Sequence, residues 1–197
     1  MTILGNALLR GERVYFNRIT RDDLPAMARM WADIDYIRHL MRRPAYPVTL
    51  EEMEAWYKEM SDEHAPPSFA IRTTDGDQFI GVCAFKDLRW ASRHTFFWIG
   101  IGVREMQGRG YGADSLRVLL KYAFLEMNLN CVGLEVMGYN ERAIGLYRKV
   151  GFQHDGSVRA YVYRDGAYYD MLYMSMVRDE WEARYGVDAR RASLPQS

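Results

Sequence analysis

The chain has 197 residues, a length typical of one domain with a sizeable core. Its 26 basic and 26 acidic residues cancel, which excludes the strong positive field of a dedicated nucleic-acid binder. Aromatic residues make up 14% of the chain, which favours a packed core over disorder. No apolar run approaches the roughly 18 residues that a membrane span requires, and the N-terminal run is not typical of a signal peptide. We expect neither nucleic acid nor membrane as a partner.

The first third of the chain predicts a strand followed by two helices. Residues 12–19 alternate loosely between apolar and polar side chains, as a strand does. A threonine followed by two acids then predicts a helix over about 20–32. The capping box Thr49-Leu50-Glu51-Glu52 predicts a second helix to about residue 60. Residues 33–48, between the two helices, are expected to be a loop or a broken helix.

Three apolar segments then predict an antiparallel meander. The segments cover residues 68–74, 78–88 and 95–103. Asp75-Gly76 separates the first two and is a typical hairpin turn.

The second half begins with the clearest helix of the chain, over 113–127. Its apolar residues fall on one face at the spacing of an α-helix: Leu116, Leu119, Leu120, Ala123, Phe124 and Met127. The elements expected after it are a buried strand over 131–137, a helix over 141–150 between Asn140 and Gly151, a hairpin over 158–177 that turns at Asp165-Gly166, and a short helix near 180–184.

These elements predict one α/β domain over residues 1–185, with a single mixed sheet, and a disordered tail over 186–197. Cys83 and Cys131 lie inside apolar runs without a neighbouring Cys or His, so we expect reduced core residues of a cytoplasmic protein. The four histidines show no pairing at metal or catalytic spacing, and no metal site is expected.

The stretch Gln107 to Gly112, QGRGYG, places three glycines between the meander and the long helix. One interpretation is a plain turn, although one glycine would suffice for that. A second is a dinucleotide fingerprint, since Gly108, Gly110 and Ala113 fit its spacing, but the preceding antiparallel strands are not its usual context. A third is a cradle of backbone N–H groups for a diphosphate at the positive helix end, with Arg109 on an outer phosphate.

Three segments of the chain resemble the GCN5-related N-acetyltransferase (GNAT) superfamily over about residues 12–180. Its Gln/Arg-x-x-Gly-x-Gly/Ala signature is matched by Gln107, Gly110 and Gly112. The likeness is strongest in IGIGVREMQGRGYGADSLRVLLKYAF and YNERAIGLYRKVGF, followed by GAYYDMLYMSM. The pattern is similar to the branch of ribosomal-protein alanine and spermidine acetyltransferases. The resemblance implies a GNAT fold, with a mostly antiparallel central sheet flanked by helices and a splayed strand pair that holds the cofactor.

The resemblance further implies an acetyl-CoA-dependent N-acetyltransferase that needs no metal. The backbone of Ile101, Gly102 and Val103 would pair with the pantetheine arm as an added strand. The diphosphate would lie on the loop formed by Gln107, Gly108, Arg109, Gly110, Tyr111, Gly112 and Ala113. Asn140 would bind the pantetheine from the far side, and Tyr147 would lie near the sulfur. A homodimer is plausible in this branch.

Acetyl transfer to an amine needs a proton for the departing thiolate. A tyrosine can supply it, and Tyr147, two helical turns after Asn140, is the general acid that the resemblance favours over a packed aromatic. Many relatives carry a base glutamate on the strand before the phosphate loop, where this chain has Phe96-Phe97-Trp98. A water chain could replace it, and the candidate acids are Asp170, Glu135 and Asp35.

The acceptor is expected to be set by the loop Asp33 to Tyr46 and by tyrosines of the last hairpin, namely Tyr161, Tyr163, Tyr168 and Tyr169. Arg42 and Arg43 in that loop would repel a polyamine. We therefore expect an acceptor with a neutral or acidic body: a protein N-terminus, an amino acid or a small amine. The missing strand glutamate leaves a second hypothesis, a non-catalytic acyl-CoA-binding sensor or subunit, and a nicotinamide enzyme ranks below both.

Overall fold

The computed structural model describes residues 5–191. Within them the strands are β1 Val14–Asn17, β2 Ser68–Thr73, β3 Phe79–Arg89, β4 His94–Ile101, β5 Cys131–Met137, β6 Gln153–Arg164 and β7 Ala167–Val177. The α-helices are α1 Leu24–Trp31, α2 Ile34–Leu40, α3 Leu50–Met60, α4 Tyr111–Lys121, α5 Glu141–Val150 and α6 Arg178–Arg191. No helix in this part of the chain is both long enough and apolar enough to cross a bilayer.

The strands form one mixed sheet in the order β1-β2-β3-β4-β5-β7-β6. Short turns join β2 to β3, β3 to β4 and β6 to β7, and these pairs are antiparallel, as short turns require. The β4–β5 connection contains α4, and these two strands are parallel. The predicted α/β class with a mostly antiparallel sheet is confirmed. The topology also excludes the dinucleotide fingerprint, because the glycines follow an antiparallel meander.

Helices cover both faces of the sheet, because the apolar residues of the central strands point alternately to the two sides. Val132, Leu134 and Val136 of β5 belong to a core cluster with α4, α5 and Trp181 of α6. On the other face, α1 and α3 form a second cluster with β2 and β3, and Trp98 of β4 packs against it. The two central strands β4 and β5 therefore separate two helical layers.

The capping signals position the helix ends as expected. The Thr49 hydroxyl accepts a hydrogen bond from Glu52 N–H, and the Glu52 carboxylate accepts one from Thr49 N–H. Asn140 caps α5, and Gly151 ends that helix with a left-handed φ of 117°. The segment 33–48 resolves into α2 and an extended stretch, because Asp33 caps a seven-residue helix that the local pattern does not show.

Two elements near the end of the chain are longer than predicted. β6 begins at Gln153, and its hairpin turns at Asp165 and Gly166, which both have positive φ as a type I′ turn requires. The last helix runs to Arg191, into the segment 186–197 for which the sequence predicts disorder. Residues 192–197 lie outside the described part of the chain.

Candidate active site between the parted strands

The central feature of the site is a gap between β4 and β5. These strands pair only at their beginnings, from His94–Cys131 to Phe97–Leu134. Beyond these pairs a cleft of about 740 Å³ opens between Trp98–Ile101 and the end of β5. A sheet that parts at its centre leaves one strand with unpaired backbone groups, which can bind an extended ligand.

The register of β4 shows which backbone groups face the gap. Gly102 N–H donates to Ile80 O of β3, so residues 102, 100 and 98 turn their polar backbone atoms to β3. The alternation therefore turns the N–H and C=O groups of Ile99 and Ile101 towards the cleft. Ile101 O accepts a hydrogen bond from Gln107 Nε2 at 3.0 Å.

The glycines of QGRGYG have two different physical roles. Gly108 and Gly110 have φ values of 78° and 89°, which residues with a Cβ rarely adopt. Gly112 is helical, but a Cβ there would lie 3.1 Å from Leu146 Cδ2, so this glycine lets α4 and α5 approach. Gly110 is the N-cap of α4, and the first-turn N–H groups of that helix have no helical partners. The loop thus forms an anion site that needs no basic side chain.

Asp114 stands in the first turn of α4, where a carboxylate would compete with a bound anion. The side chain is instead buried, and its Oδ2 accepts hydrogen bonds from Arg13 N–H at 2.7 Å and Val14 N–H at 3.0 Å. Gly11 has no Cβ, and one built there would collide with the Asp114 carboxylate. Asp114 therefore attaches the beginning of β1 to the base of the phosphate loop.

Gln107 connects the loop to α5 across the cleft, and Asn140 caps α5 at the same end. Gln107 donates to Ile101 O, and its Oε1 accepts from Arg142 Nη1 at 2.7 Å. Asn140 Oδ1 accepts from Ala143 N–H at 3.2 Å, which uses the side-chain carbonyl as the cap of α5. The Asn140 side-chain NH₂ remains as the donor that could reach a ligand.

Tyr147 is the aromatic residue of α5 that lines the cleft. Its ring is buried against Phe97 and Phe152, with centroids 6.3 and 5.8 Å away. Burial raises the pKa of Tyr147 to about 12, so its hydroxyl keeps its proton at neutral pH. Phe97 belongs to the same core cluster, so Tyr147 lines the cleft from the α4–α5 face of the sheet.

The structure brings together eight of the twelve residues expected to bind the cofactor. Those lining the cleft are Ile101, Gln107, Gly108, Gly110, Gly112, Ala113, Asn140 and Tyr147. The other four are placed differently. Arg109 is exposed, Val103 and Tyr111 pack against the main core cluster, and Gly102 turns its N–H to β3 while its Cα lies against Met30 of α1.

The acids that line the cleft are all ion-paired. Asp33 and Asp35 both contact Arg104, whose hydrogen bond holds the pKa of Asp33 below its ordinary value. Glu135 of β5 binds Lys86 and Arg42. Burial raises the pKa of Glu135, but the hydrogen bond from Lys86 and the charges of both cations outweigh it and leave the pKa lowered.

Asp170, the candidate base, lies on β7 outside the set of residues that line the cleft. Its exposed carboxylate accepts a hydrogen bond from Ala160 N–H at 3.0 Å, at an irregular position of β6. This contact gives Asp170 a role in the shape of the hairpin.

A smaller pocket of about 240 Å³ adjoins the cleft on the face of α1–α3. It shares Glu135, Trp98 and Phe97 with the cleft. The segment around Arg42 forms one wall, and Arg164 of β6 holds this segment by donating to Met41 O and Arg43 O, each at 2.9 Å. The predicted acceptor loop and the last hairpin therefore meet beside this pocket, but the four hairpin tyrosines predicted to set the acceptor do not line it, and Met171 is the residue of the hairpin that does.

Sequence patterns did not indicate three of the residues that shape the site. Lys86 directly follows the apolar run of β3, Trp98 resembles an ordinary core aromatic, and Tyr36 lies in a segment predicted as loop or broken helix. The charge of Lys86 at the end of the apolar run IGVCAFK was the one sequence feature that could have indicated this part of the site. Among the described residues, no group of three or more His, Cys, Asp or Glu side chains could hold a metal ion.

A sheet parted beside a bare helix N-terminus defines the class of acetyl-CoA-dependent acyltransferases. Within that class, the family model of the acetyltransferase (GNAT) domain matches residues 13–153, and the chain belongs to this family. It is therefore an acetyl-CoA-dependent N-acetyltransferase, as the sequence predicts, and its two named relatives below match the predicted branch.

The spermidine N(1)-acetyltransferase of Escherichia coli is 25% identical over 167 residues, which is 85% of this chain and 87% of the relative. The ribosomal-protein alanine N-acetyltransferase of the same organism is 23% identical over 114 residues, 57% and 58% of the two chains. The crystal structure of spermidine N-acetyltransferase from Vibrio cholerae with CoA and spermine superposes with a TM-score of 0.77 at 22% identity, covering 85% of this chain and 97% of that one.

Proposed function

We propose that this chain transfers the acetyl group of acetyl-CoA directly to a primary amine with a neutral or acidic body, within a ternary complex. The observation that supports this proposal most directly is the gap between β4 and β5, which adjoins a bare helix N-terminus on one side and a small aromatic pocket on the other. These two binding regions would allow acetyl-CoA and the amine to be bound at the same time, so no covalent acetyl-enzyme is needed.

Backbone atoms provide most of the proposed cofactor site. The N–H groups from Gly108 to Ala113 would hold the diphosphate at the positive end of α4. The polar groups of Ile99 and Ile101 would pair with the amides of the pantetheine arm, and Asn140 would donate from the other side. Arg142, exposed at the same end of the cleft, adds a positive charge.

The proposed chemistry is attack of the neutral amine on the thioester carbonyl, which forms a C–N bond and then breaks the C–S bond. A β4 N–H group facing the gap would stabilise the oxyanion. The proton lost by the attacking nitrogen balances the proton gained by the departing sulfur. With a pKa of about 12 against about 8.5 for a thiol, Tyr147 would stabilise that sulfur mainly by hydrogen bonding and by relaying this proton.

We further propose that no carboxylate of the cleft acts as a strong base. Asp33, Asp35 and Glu135 are paired with cations, which lowers the pKa of Asp33 and Glu135 and so weakens them as bases, and Asp170 contacts Ala160 outside the cleft. The acceptor must then lose its proton to water. This favours an α-amine, whose pKa of about 7.7–8.0 leaves a usable neutral fraction at pH 7, over a lysine-type amine at about 10.4.

Thiol release from acetyl-CoA, measured with a panel of amines, tests this function. We expect amine-dependent release with N-terminal Ala or Ser peptides, amino acids or small aromatic amines, and slower release with spermidine. Faster spermidine turnover would refute the acceptor class. Tight acetyl-CoA binding without release for any amine would instead favour the non-catalytic acyl-CoA binder. A homodimer and a cytoplasmic location stay predictions.

A further inference from the structure

The smaller pocket has aromatic walls suited to a compact, flat group. Trp31, Trp56 and Trp98 contact one another, with ring centroids 5.7 to 6.2 Å apart, and all three line the pocket. Its volume of about 240 Å³ accommodates a small organic body but not a long chain. The pocket shares its inner end with the cleft, so an amine on such a body would point towards the β4–β5 gap.

The charged groups of this pocket leave an excess of positive charge. Arg42, Lys86 and Glu135 are the charged residues among those that line it. Glu135 is 14% exposed and binds both cations, so its single negative charge is already shared. The three side chains sum to one positive charge, which an acceptor entering the pocket would meet.

Arg42 has the donors to bind a further anion. Its guanidinium carries five N–H groups, of which one, on Nη1, binds Glu135 at 3.1 Å, and Tyr161 is a further hydrogen-bond partner, so donors remain for a ligand. The side chain is 45% exposed, so it can reach a ligand in the pocket. A planar guanidinium binds a carboxylate through two parallel, charge-assisted hydrogen bonds, which are stronger than those to a neutral acceptor and which a cationic group cannot accept.

The acids of the adjoining cleft do not cancel the positive charge of the pocket. Asp33 and Asp35 line the larger cleft and both bind Arg104, and neither is among the residues that line the pocket. A polyamine carries only donors and positive charge, so it would find no available carboxylate in the pocket.

We propose that the pocket is an anion-recognition subsite in which Arg42, supported by Lys86 and Glu135, binds a carboxylate on the acceptor. The acceptor is then an aromatic or similarly compact primary amine that carries a carboxylate on its body. This inference rests on the proposed acetyl transfer and deepens it by naming the group that is recognised. Glu135 acts here as a positioning residue that orients both cations.

A matched pair of acceptors isolates the carboxylate. Benzylamine and 4-(aminomethyl)benzoate share the reactive amine and the ring and differ in the acidic group. We expect kcat/KM to be about 10- to 100-fold higher for the benzoate, which is the range of a charge-assisted hydrogen bond, with most of the effect in KM. Equal kcat/KM values for the two amines, or a preference for spermidine over both, would overturn the proposal.

Two neighbouring arginines provide the variant and its control. Arg42→Gln should reduce the benzoate-to-benzylamine ratio towards one. Arg43→Gln should leave the ratio unchanged, because the Arg43 guanidinium stacks on Tyr46, 4.1 Å from the ring centroid, and does not line the pocket. A ratio that survives Arg42→Gln, or that falls equally in both variants, would contradict the role of Arg42.

Calorimetry with the CoA-saturated protein separates this inference from the proposed function. Binding of 4-(aminomethyl)benzoate in preference to benzylamine, lost in Arg42→Gln, would support the subsite even if no amine is acetylated. Acetylation of benzylamine without any carboxylate preference would support the enzyme and refute the subsite.

Discussion

Replacement of Tyr147 by Phe removes the hydroxyl and keeps the ring. The contacts with Phe97 and Phe152 involve the ring, so the unfolding free energy should change by no more than about 1 kcal/mol, the net contribution of one hydrogen bond. The catalytic effect should be larger. Acid–base groups contribute 10² to 10⁴ in rate, and a phenol with a pKa of about 12 acts mainly by hydrogen bonding. We therefore expect kcat to fall about 10²-fold, or roughly 2.7 kcal/mol in the barrier.

Steady-state kinetics and calorimetry together test this reasoning. The acetyl-CoA dissociation constant should change by less than about threefold, because the backbone carries most of that site. Tyr122→Phe is a matched control, since Tyr122 is half-buried in the same core cluster but does not line the cleft. A Tyr147→Phe enzyme with kcat within twofold of the parent would show that Tyr147 merely packs. An equal loss in both variants would point to a structural effect.

Other predictions concern the loop and the ion cluster. Gly110→Ala should cost about 1–2 kcal/mol of unfolding free energy and weaken CoA binding in calorimetry, because φ is 89° there, whereas Gly145→Ala, where an added Cβ meets no atom within 4 Å, should leave the unfolding free energy unchanged or raise it. Gln107→Glu removes the donor to Ile101 O and adds a negative charge beside the phosphates, so CoA affinity should fall at least tenfold while affinity for an uncharged amine does not. The lowered pKa of Glu135 means that its ion pairs stabilise the fold above the ordinary pKa of 4.5 and lose this effect as pH falls through the folded value. The unfolding free energies of Glu135→Gln and of the parent, measured by denaturation at several pH values, should therefore converge in acid. A difference between them that does not change with pH would contradict this.

The loop Gln107 to Gly112 shows how much of the site local sequence patterns can predict. Three glycines before a periodic helix left a plain turn, a dinucleotide fingerprint and an anion site as alternatives, and only the family resemblance favoured the anion site. The pattern could not distinguish their roles, because φ at Gly108 and Gly110 depends on the turn, and the need for Gly112 depends on how closely α5 packs. Gly100 shows the same limit, because a Cβ there would collide with the Tyr36 hydroxyl of α2, a contact that no local sequence pattern indicates.

The acceptor side could not be predicted, because it depends on long-range contacts. Arg42 and Lys86 lie 93 and 49 residues from Glu135 in the chain; the sheet order brings Lys86 near Glu135, and the packing of the segment after α2 against β6 brings Arg42 there. Strand alternation also decides which face of the sheet each side chain of β5 occupies. Glu135 points to the α1–α3 face, while its neighbours Leu134 and Val136 point to the core of α4 and α5. A list of acids in the sequence does not contain that information.

The crystal structure of the protein with bound coenzyme A would test the account most directly. We predict the diphosphate within hydrogen-bond distance of the N–H groups from Gly108 to Ala113, the pantetheine along Ile99 and Ile101, and the sulfur facing the Tyr147 hydroxyl. A cofactor bound outside the β4–β5 gap, or phosphates held by side chains away from this loop, would contradict it.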